Sequence, residues 1–219
     1  MRVLLTGAGS GIGHELARRL AARGDELVLV VRSADRAADF AGATVLEADL
    51  ADPAALERLD LPDHLDAVVH AAGVVELGRV AELSTEAWQS QLAVNLLAPA
   101  VLTRVALPAL RAAQGTVVFV NSGAGLSANP EWAGYAAAKF GLRALADSLR
   151  AEERAAGVRV TTVYPGRTAT PMQEKVHRQE GKAYDADRWA KASTVVDTIV
   201  HVLDLPSDAT ISDLTIRPR

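Results

Sequence analysis

The chain has 219 residues, 49% of them apolar, and a net charge of -4, which suits one α/β domain with a sizeable core and gives no global pull toward nucleic acid or anionic lipid. There is no cysteine, so disulfides and thiolate metal sites are excluded. The five histidines are scattered without ligand spacing, and none is expected to bind a metal.

The first apolar run, Arg2–Thr6, is too short for a signal peptide or a membrane span and reads as a buried parallel strand. The expectation is a soluble cytoplasmic protein that uses neither a membrane nor nucleic acid. Next comes Thr6-Gly7-Ala8-Gly9-Ser10-Gly11-Ile12-Gly13, and then a stretch of helical period from Glu15 to Leu20. A strand, a glycine turn and a helix start make a phosphate cradle. Glycines let the backbone approach a ligand, and unpaired N–H groups at the helix start favour an anion. The spacing lacks the Gly-Lys-Ser/Thr of a nucleotide hydrolase loop.

Glu26–Val31 reads as the second strand and ends in Arg32-Ser33. An acidic residue here would hold the ribose diol of NAD, whereas an arginine suits the extra phosphate of NADP. Arg32 and Ser33, with Arg36 as a helper, therefore point to NADP(H), with NAD(H) as the lesser option. Thr44–Glu47 is a third strand, followed by Asp49-Leu50. Asp49 either accepts from an adenine amine or opens the turn before Asp52-Pro53, where Asp52 caps a helix expected to run to Leu59. Residues 65–70 form a fourth strand ending in Ala71-Ala72-Gly73, small enough to let a cofactor lie against them.

A helical region begins at Ser84-Thr85-Glu86 and contains Asn95, a poor interior choice unless its amide is used. A second helix is expected from Pro99 to Ala113. Thr116–Val120 is a β-branched strand running into Asn121-Ser122-Gly123, so Ser122 lies at the carboxyl end of a central strand, where open α/β sheets bind ligands. Tyr135 follows thirteen residues later and Lys139 four after that. They sit in an alanine-rich helical run over 135–149, which puts phenol and ammonium on one side of one helix. A phenol titrates near about 10, and an adjacent cation favours its phenolate, so the pair is expected to exchange a proton near neutral pH.

The remaining segments alternate in the same way. Residues 158–164 read as the sixth strand, 193–203 as a helix and 211–216 as a last strand. Between them, Met172, Val176, Tyr184 and Trp189 are candidates to line a pocket. Strands joined by helical crossovers predict a Rossmann-like, doubly wound, mostly parallel sheet with helices on both faces, in one domain over 1–219.

The pattern Thr6-Gly-x-x-x-Gly-x-Gly13, with Asn95, Ser122, Tyr135 and Lys139 in this order and spacing, resembles the short-chain dehydrogenase/reductase family from the first strand to Thr215. Pro165-Gly166-Arg167-Thr168-Ala169-Thr170 matches the family's Pro-Gly-x-x-x-Thr. His70-Ala71-Ala72-Gly73 departs from the common Asn-Asn-Ala-Gly. The resemblance implies an NADP-linked oxidoreductase that moves a hydride between nicotinamide and a small-molecule carbonyl or secondary alcohol. It implies catalytic roles for Tyr135 (acid and base), Lys139 (which lowers the tyrosine pKa and holds the ribose), Ser122 (substrate oxygen) and Asn95 (a water relay). It places the cofactor on Gly7, Gly9, Ser10, Gly11, Ile12, Gly13, Arg32, Ser33, Asp49, Leu50, Ala71, Ala72, Gly73, Tyr135, Lys139, Pro165, Gly166, Thr168 and Thr170. It also implies that residues 171–192 cover the substrate, and that copies pair as a homodimer or homotetramer through the helices containing Asn95 and Tyr135. A non-catalytic NADP sensor of the same fold is the alternative, but a sensor has no need of a positioned acid. A methyltransferase would share the glycine turn and leave the Tyr–Lys pair unexplained.

Overall fold

The computed structural model describes all 219 residues. Seven strands build its sheet: β1 (Arg2–Thr6), β2 (Glu26–Val31), β3 (Thr44–Glu47), β4 (Ala67–His70), β5 (Thr116–Val120), β6 (Arg159–Pro165) and, last in the chain, a strand at Asp213–Ile216. Every neighbouring pair is parallel, in the order β3-β2-β1-β4-β5-β6 followed by the last strand. The winding direction reverses between β1 and β4, and such a reversal opens a crevice at the strands' carboxyl ends.

The strand sequences explain the layering. Side chains alternate across a strand, and a parallel sheet is covered on both faces, so its strands read as continuous apolar runs. Val3, Leu5, Leu29 and Val69 point to one face, against Leu16 and Leu20 of α1 (Gly11–Ala22) and against Val195 and Ile199 of a late helix, Ala192–Leu203. Leu4, Val28, Val68 and Phe119 point to the other face, against Leu56 of the single-turn α2 (Pro53–Leu56) and against the central helices. Full burial of each such side chain is worth about 1.5–3 kcal/mol, so both faces contribute to holding the sheet's carboxyl edge in place.

The central helices differ from the sequence expectation. Instead of two helices broken before Pro99, α3 (Thr85–Leu92) runs through a widened π-helical turn, Ala93–Leu97, into α4 (Ala98–Ala113). Pro99 has no N–H to give the carbonyl of Asn95. The ladder widens around that gap, with the Ala98 N–H reaching back to the Ala93 carbonyl, and the rod continues. This 29-residue rod is long and apolar enough to cross a bilayer, and half of its most apolar stretch is buried inside the fold. The helix after Asp52 is shorter than expected. Asp52 caps it through the N–H groups of Ala54 and Ala55, but it ends at Leu56 rather than Leu59.

After β5 comes α5 (Ala133–Glu152), which carries Tyr135 and Lys139 and packs beside α3. The chain beyond β6 forms β7 (Thr168–Ala169), α6 (Pro171–Gln179) and β8 (Ala190–Lys191), then α7 (Ala192–Leu203) and β9 (Asp213–Ile216), the two elements already met as the late helix and the last strand. β7 and β8 pair with each other, so the segment over 171–189 is a closed excursion whose two ends are hydrogen-bonded together. His70, where the resemblance leads one to expect asparagine, is buried at the end of β4. Its Nε2 lies 2.8 Å from Thr103 Oγ1 of α4, and its ring stacks on Phe119 at 5.0 Å. Burial, helped by the charge of Lys139, pushes this imidazole down to about 3. It stays neutral and ties strand to helix.

Candidate functional site

A cleft of about 1060 Å³ runs along the carboxyl ends of the strands, from the glycine turn after β1 to the start of α6. Its floor is set by two close backbone approaches. Gly7 has φ +82°, and a Cβ there would stand 2.7 Å from the Ala72 nitrogen. A Cβ on Gly13 would stand 2.3 Å from the Gly7 carbonyl oxygen. Only glycines let the turn lie this close to the loop after β4 and to the first turn of α1. Ser10 begins α1, but its hydroxyl makes no capping bond and the first turn holds no acidic residue. The N–H groups there lack a side-chain acceptor and sit at the positive end of the helix, beside Gly11 and Ile12 of the cleft wall. That donor set fits the pyrophosphate of a dinucleotide.

At one end the cleft is lined by Arg32, Arg36, Asp49 and Leu50. Both arginines are exposed. Asp49 opens the turn before Asp52, its Oδ1 accepting from the Ala51 N–H at 2.9 Å, and it also borders the cleft. Ser33 and Gly13 do not line it. Gly13 acts through the close approach just described, and Ser33 heads a short 3₁₀ turn, Ala34–Ala37.

The middle and far end bring together residues scattered over the sequence. Ala71, Ala72, Gly73, Ser122, Tyr135, Lys139, Pro165, Gly166, Thr168 and Thr170 all border the cleft. Asn95 is fully buried beneath it. Its Nδ2 donates to the Val74 carbonyl at 2.9 Å, and its Oδ1 accepts from the Val74 N–H at 3.0 Å. Both ends of the amide therefore hold the loop after β4, and this use accounts for asparagine in a helix.

Tyr135 and Lys139 face the same space, with the ammonium 5.7 Å from the phenol ring centre. Burial is nearly complete, at 6% and 3% exposure. The expected acidification of the phenol is not found. Burial pushes Tyr135 up to about 12, and the Ser122 hydroxyl acts in the opposite direction. Burial also pulls Lys139 down to about 8. The first cause is the loss of water on burial; the ammonium donates to the Val120 carbonyl at 3.0 Å and makes no hydrogen bond to the phenol oxygen.

Asn121, which carried no role in the sequence reading, organises this corner. Its Oδ1 accepts from the Ser122 N–H at 2.8 Å, and its Nδ2 donates to the Lys139 carbonyl at 3.0 Å. One amide thus joins the loop bearing Ser122 to the helix turn bearing Lys139. The available signal was an amide at the end of a buried strand, directly before a candidate serine.

The segment over 171–189 closes the far end. Thr170 caps α6 by accepting from the Gln173 N–H, and Met172, Gln173 and Val176 reach the cleft. Tyr184 and Trp189, expected beside them, do not line it. Their rings pack on His177, each with its centre 5.3 Å from the imidazole. Glu76, from the loop after β4, pairs with Lys175 at 2.7 Å and accepts from the Gln179 amide, which pins α6 down.

A family model described as short chain dehydrogenase matches residues 1–181. A protein of Mycobacterium tuberculosis described as an uncharacterized oxidoreductase is 36% identical over 228 residues, which cover 99% of this chain and 90% of that protein. Among solved structures, an alcohol dehydrogenase from Thermococcus sibiricus complexed with 5-hydroxy-NADP is similar, with TM-score 0.85 and 26% identity over 99% of this chain and 96% of that one. A 4-hydroxyisoleucine dehydrogenase complexed with NADH shares the fold, with TM-score 0.84 and 24% identity over 99% of this chain and 97% of that one.

The buried ammonium leaves a measurable trace. In the unfolded chain Lys139 keeps its proton up to about 10.5; in the folded chain it loses it above about 8. Between these values the unfolded state binds more protons, so wild-type stability rises with pH relative to a Lys139→Met variant. The gain reaches about 3 kcal/mol across the window. Urea unfolding of both proteins at pH 7.5 and pH 10 measures it, and a constant difference would mean that the ammonium is not desolvated.

Proposed function

The chain belongs to the short-chain dehydrogenase family, and on that premise we propose that it is an NADP(H)-dependent oxidoreductase interconverting a carbonyl compound and a secondary alcohol. The observation that carries this reading is the convergence of Ser122, Tyr135 and Lys139 on one cleft that also holds the glycine turn.

When bound, the dinucleotide supplies the hydride in reduction and accepts it in oxidation. In reduction the carbonyl carbon gains the hydride and the carbonyl oxygen gains a proton. Ser122 hydrogen-bonds that oxygen, where negative charge gathers. Tyr135 delivers the proton. A phenol held near about 12 is fully protonated at neutral pH, so it stands ready as an acid. Lys139, lowered only to about 8, is still charged there, and it stabilises the phenolate left after transfer. Oxidation runs the same steps backwards, with Tyr135 as base. Asn95 holds in place the loop after β4, which lines the cleft that would take the cofactor.

The choice of NADP rests on Arg32 and Arg36, which border the cleft without a carboxylate partner. A guanidinium suits a ribose phosphate better than a bare diol. The similar structures are divided, the alcohol dehydrogenase being complexed with 5-hydroxy-NADP and the 4-hydroxyisoleucine dehydrogenase with NADH, so the choice stands on the arginines. Pairing of two copies is supported by Leu97 and Phe140, which are 48% and 40% exposed on the neighbouring helices α3–α4 and α5.

Three outcomes test the reading. Tyr135→Phe is expected to lower turnover of NADPH with carbonyl substrates by about a hundred- to ten-thousand-fold while leaving NADPH affinity in place. Full turnover in that variant, measured at 340 nm, would remove Tyr135 as the acid. Arg32→Ala is expected to raise the KM for NADPH about tenfold or more, with little change for NADH; equal effects on both would dismiss the phosphate role. Light scattering is expected to show an oligomer that Leu97→Glu with Phe140→Glu converts to a monomer, and an unchanged mass would place the interface elsewhere.

A further inference from the structure

The corner around Tyr135 is an apolar compartment of the same cleft. Val75, Ala124, Tyr135 and Val176 form their own buried cluster, and Leu77, Trp132 and Met172 pack against it. Trp132 meets the phenol edge-on, with ring centres 5.8 Å apart. The Met172 side chain extends to within contact distance of the position a Gly73 Cβ would take, so its thioether spans from α6 to the loop after β4. The compartment therefore borders both the proton donor and the cofactor wall.

Three of the cations near this end are already engaged by carboxylates. Both terminal nitrogens of Arg167 bind Glu180, at 3.0 and 2.6 Å, and its guanidinium lies over the Trp189 ring. Lys182 pairs with the same carboxylate at 3.4 Å. Lys175 is held by Glu76. Arg217, which borders the cleft on the β9 side, is solvent exposed, and its backbone lies beside Gly166. Glu131 also borders the cleft and is exposed; its charge opposes a carboxylate. An anion seated on Trp132, Met172 and Val176 would lose water and find no cation among those side chains, since the Lys139 ammonium is held by the Val120 carbonyl and Arg217 stands in solvent, a costly exchange.

Resting on the oxidoreductase reading above, we propose that the substrate is an uncharged carbonyl compound, or the matching alcohol, with an aromatic or branched aliphatic group seated on Trp132, Met172 and Val176, and that 2-oxo acids and amino acids are excluded. An aromatic group gains edge contacts with Trp132 and sulfur contacts with Met172. The unbranched thioether adapts to the group's outline, so the compartment selects by polarity more than by shape.

Matched pairs test the assignment. NADPH oxidation is measured with acetophenone against phenylglyoxylate, and with 3-methyl-2-butanone against 3-methyl-2-oxobutanoate. The uncharged member of each pair is expected to show at least about tenfold higher kcat/KM. Equal or better turnover of the acids would overturn the substrate class and leave the oxidoreductase reading standing. Calorimetric binding of the corresponding alcohols and hydroxy acids to the protein saturated with NADP gives a second readout that needs no turnover; tighter binding of the acids overturns the proposal, and tighter binding of the alcohols supports it. Failure of every carbonyl to be reduced would fall on the oxidoreductase reading instead, and the binding preference would still decide the class. Met172→Lys places a free cation in the compartment and is expected to shift the ratio toward the acids by about tenfold; an unmoved ratio would mean that the substrate does not touch α6.

Discussion

The geometry of the site hangs on a reciprocal tie between the end of β5 and the second turn of α5. Lys139 donates its ammonium to the Val120 carbonyl, and Asn121 donates its amide to the Lys139 carbonyl. Gly125 has to be a glycine for this to happen, since a Cβ there would stand 2.4 Å from Asn121 Oδ1. The two bonds run in opposite directions across a buried gap where neither donor can fall back on water. Leaving either unmade would strand a buried polar group at about 1–3 kcal/mol. Strand end and helix are thereby locked in register, and that register brings Ser122, Tyr135 and Lys139 to one wall.

The tie also bears on the titration behaviour of the pair. The ammonium hydrogen-bonds a main-chain carbonyl rather than the phenol one turn earlier, and loss of water dominates both groups. Each group then follows its own burial, the phenol upward and the ammonium downward. The result is a protonated acid beside a retained positive charge at neutral pH, a state suited to giving up a proton. Bringing the phenol toward ionisation would require some of that charge to be redirected into the cleft.

Around this corner the chain uses helix-terminus and loop chemistry to hold the walls. The Asn95 clamp on Val74 and the Glu76 pairing to α6 anchor two of its sides, while the uncapped start of α1 leaves its N–H groups facing the cleft. Helix α5 and the loop after β5 carry Ser122, Tyr135 and Lys139, while the segment over 171–189 is held by the buried Val176 and His177, by the Glu76 pairing and by the two-residue pairing of β7 with β8.

Much of this was legible in the chain itself. Alternating apolar strands and helical crossovers determined the doubly wound sheet, because a two-sided parallel strand has to be apolar throughout. The glycine turn, Ser122 and the Tyr135–Lys139 spacing determined which residues would meet, because strand ends and a shared helix face leave them little freedom. Tertiary structure alone decided the rest. Pro99 did not end its helix, since a π-helical turn absorbed the missing N–H. Tyr184 and Trp189 went to His177 instead of the cleft, since no local pattern records which neighbour a loop aromatic will find. Asn121 gained its role only when Lys139 came within reach. The phenol rose rather than fell, because burial and the direction of an ammonium are properties of packed space, which sequence spacing does not carry.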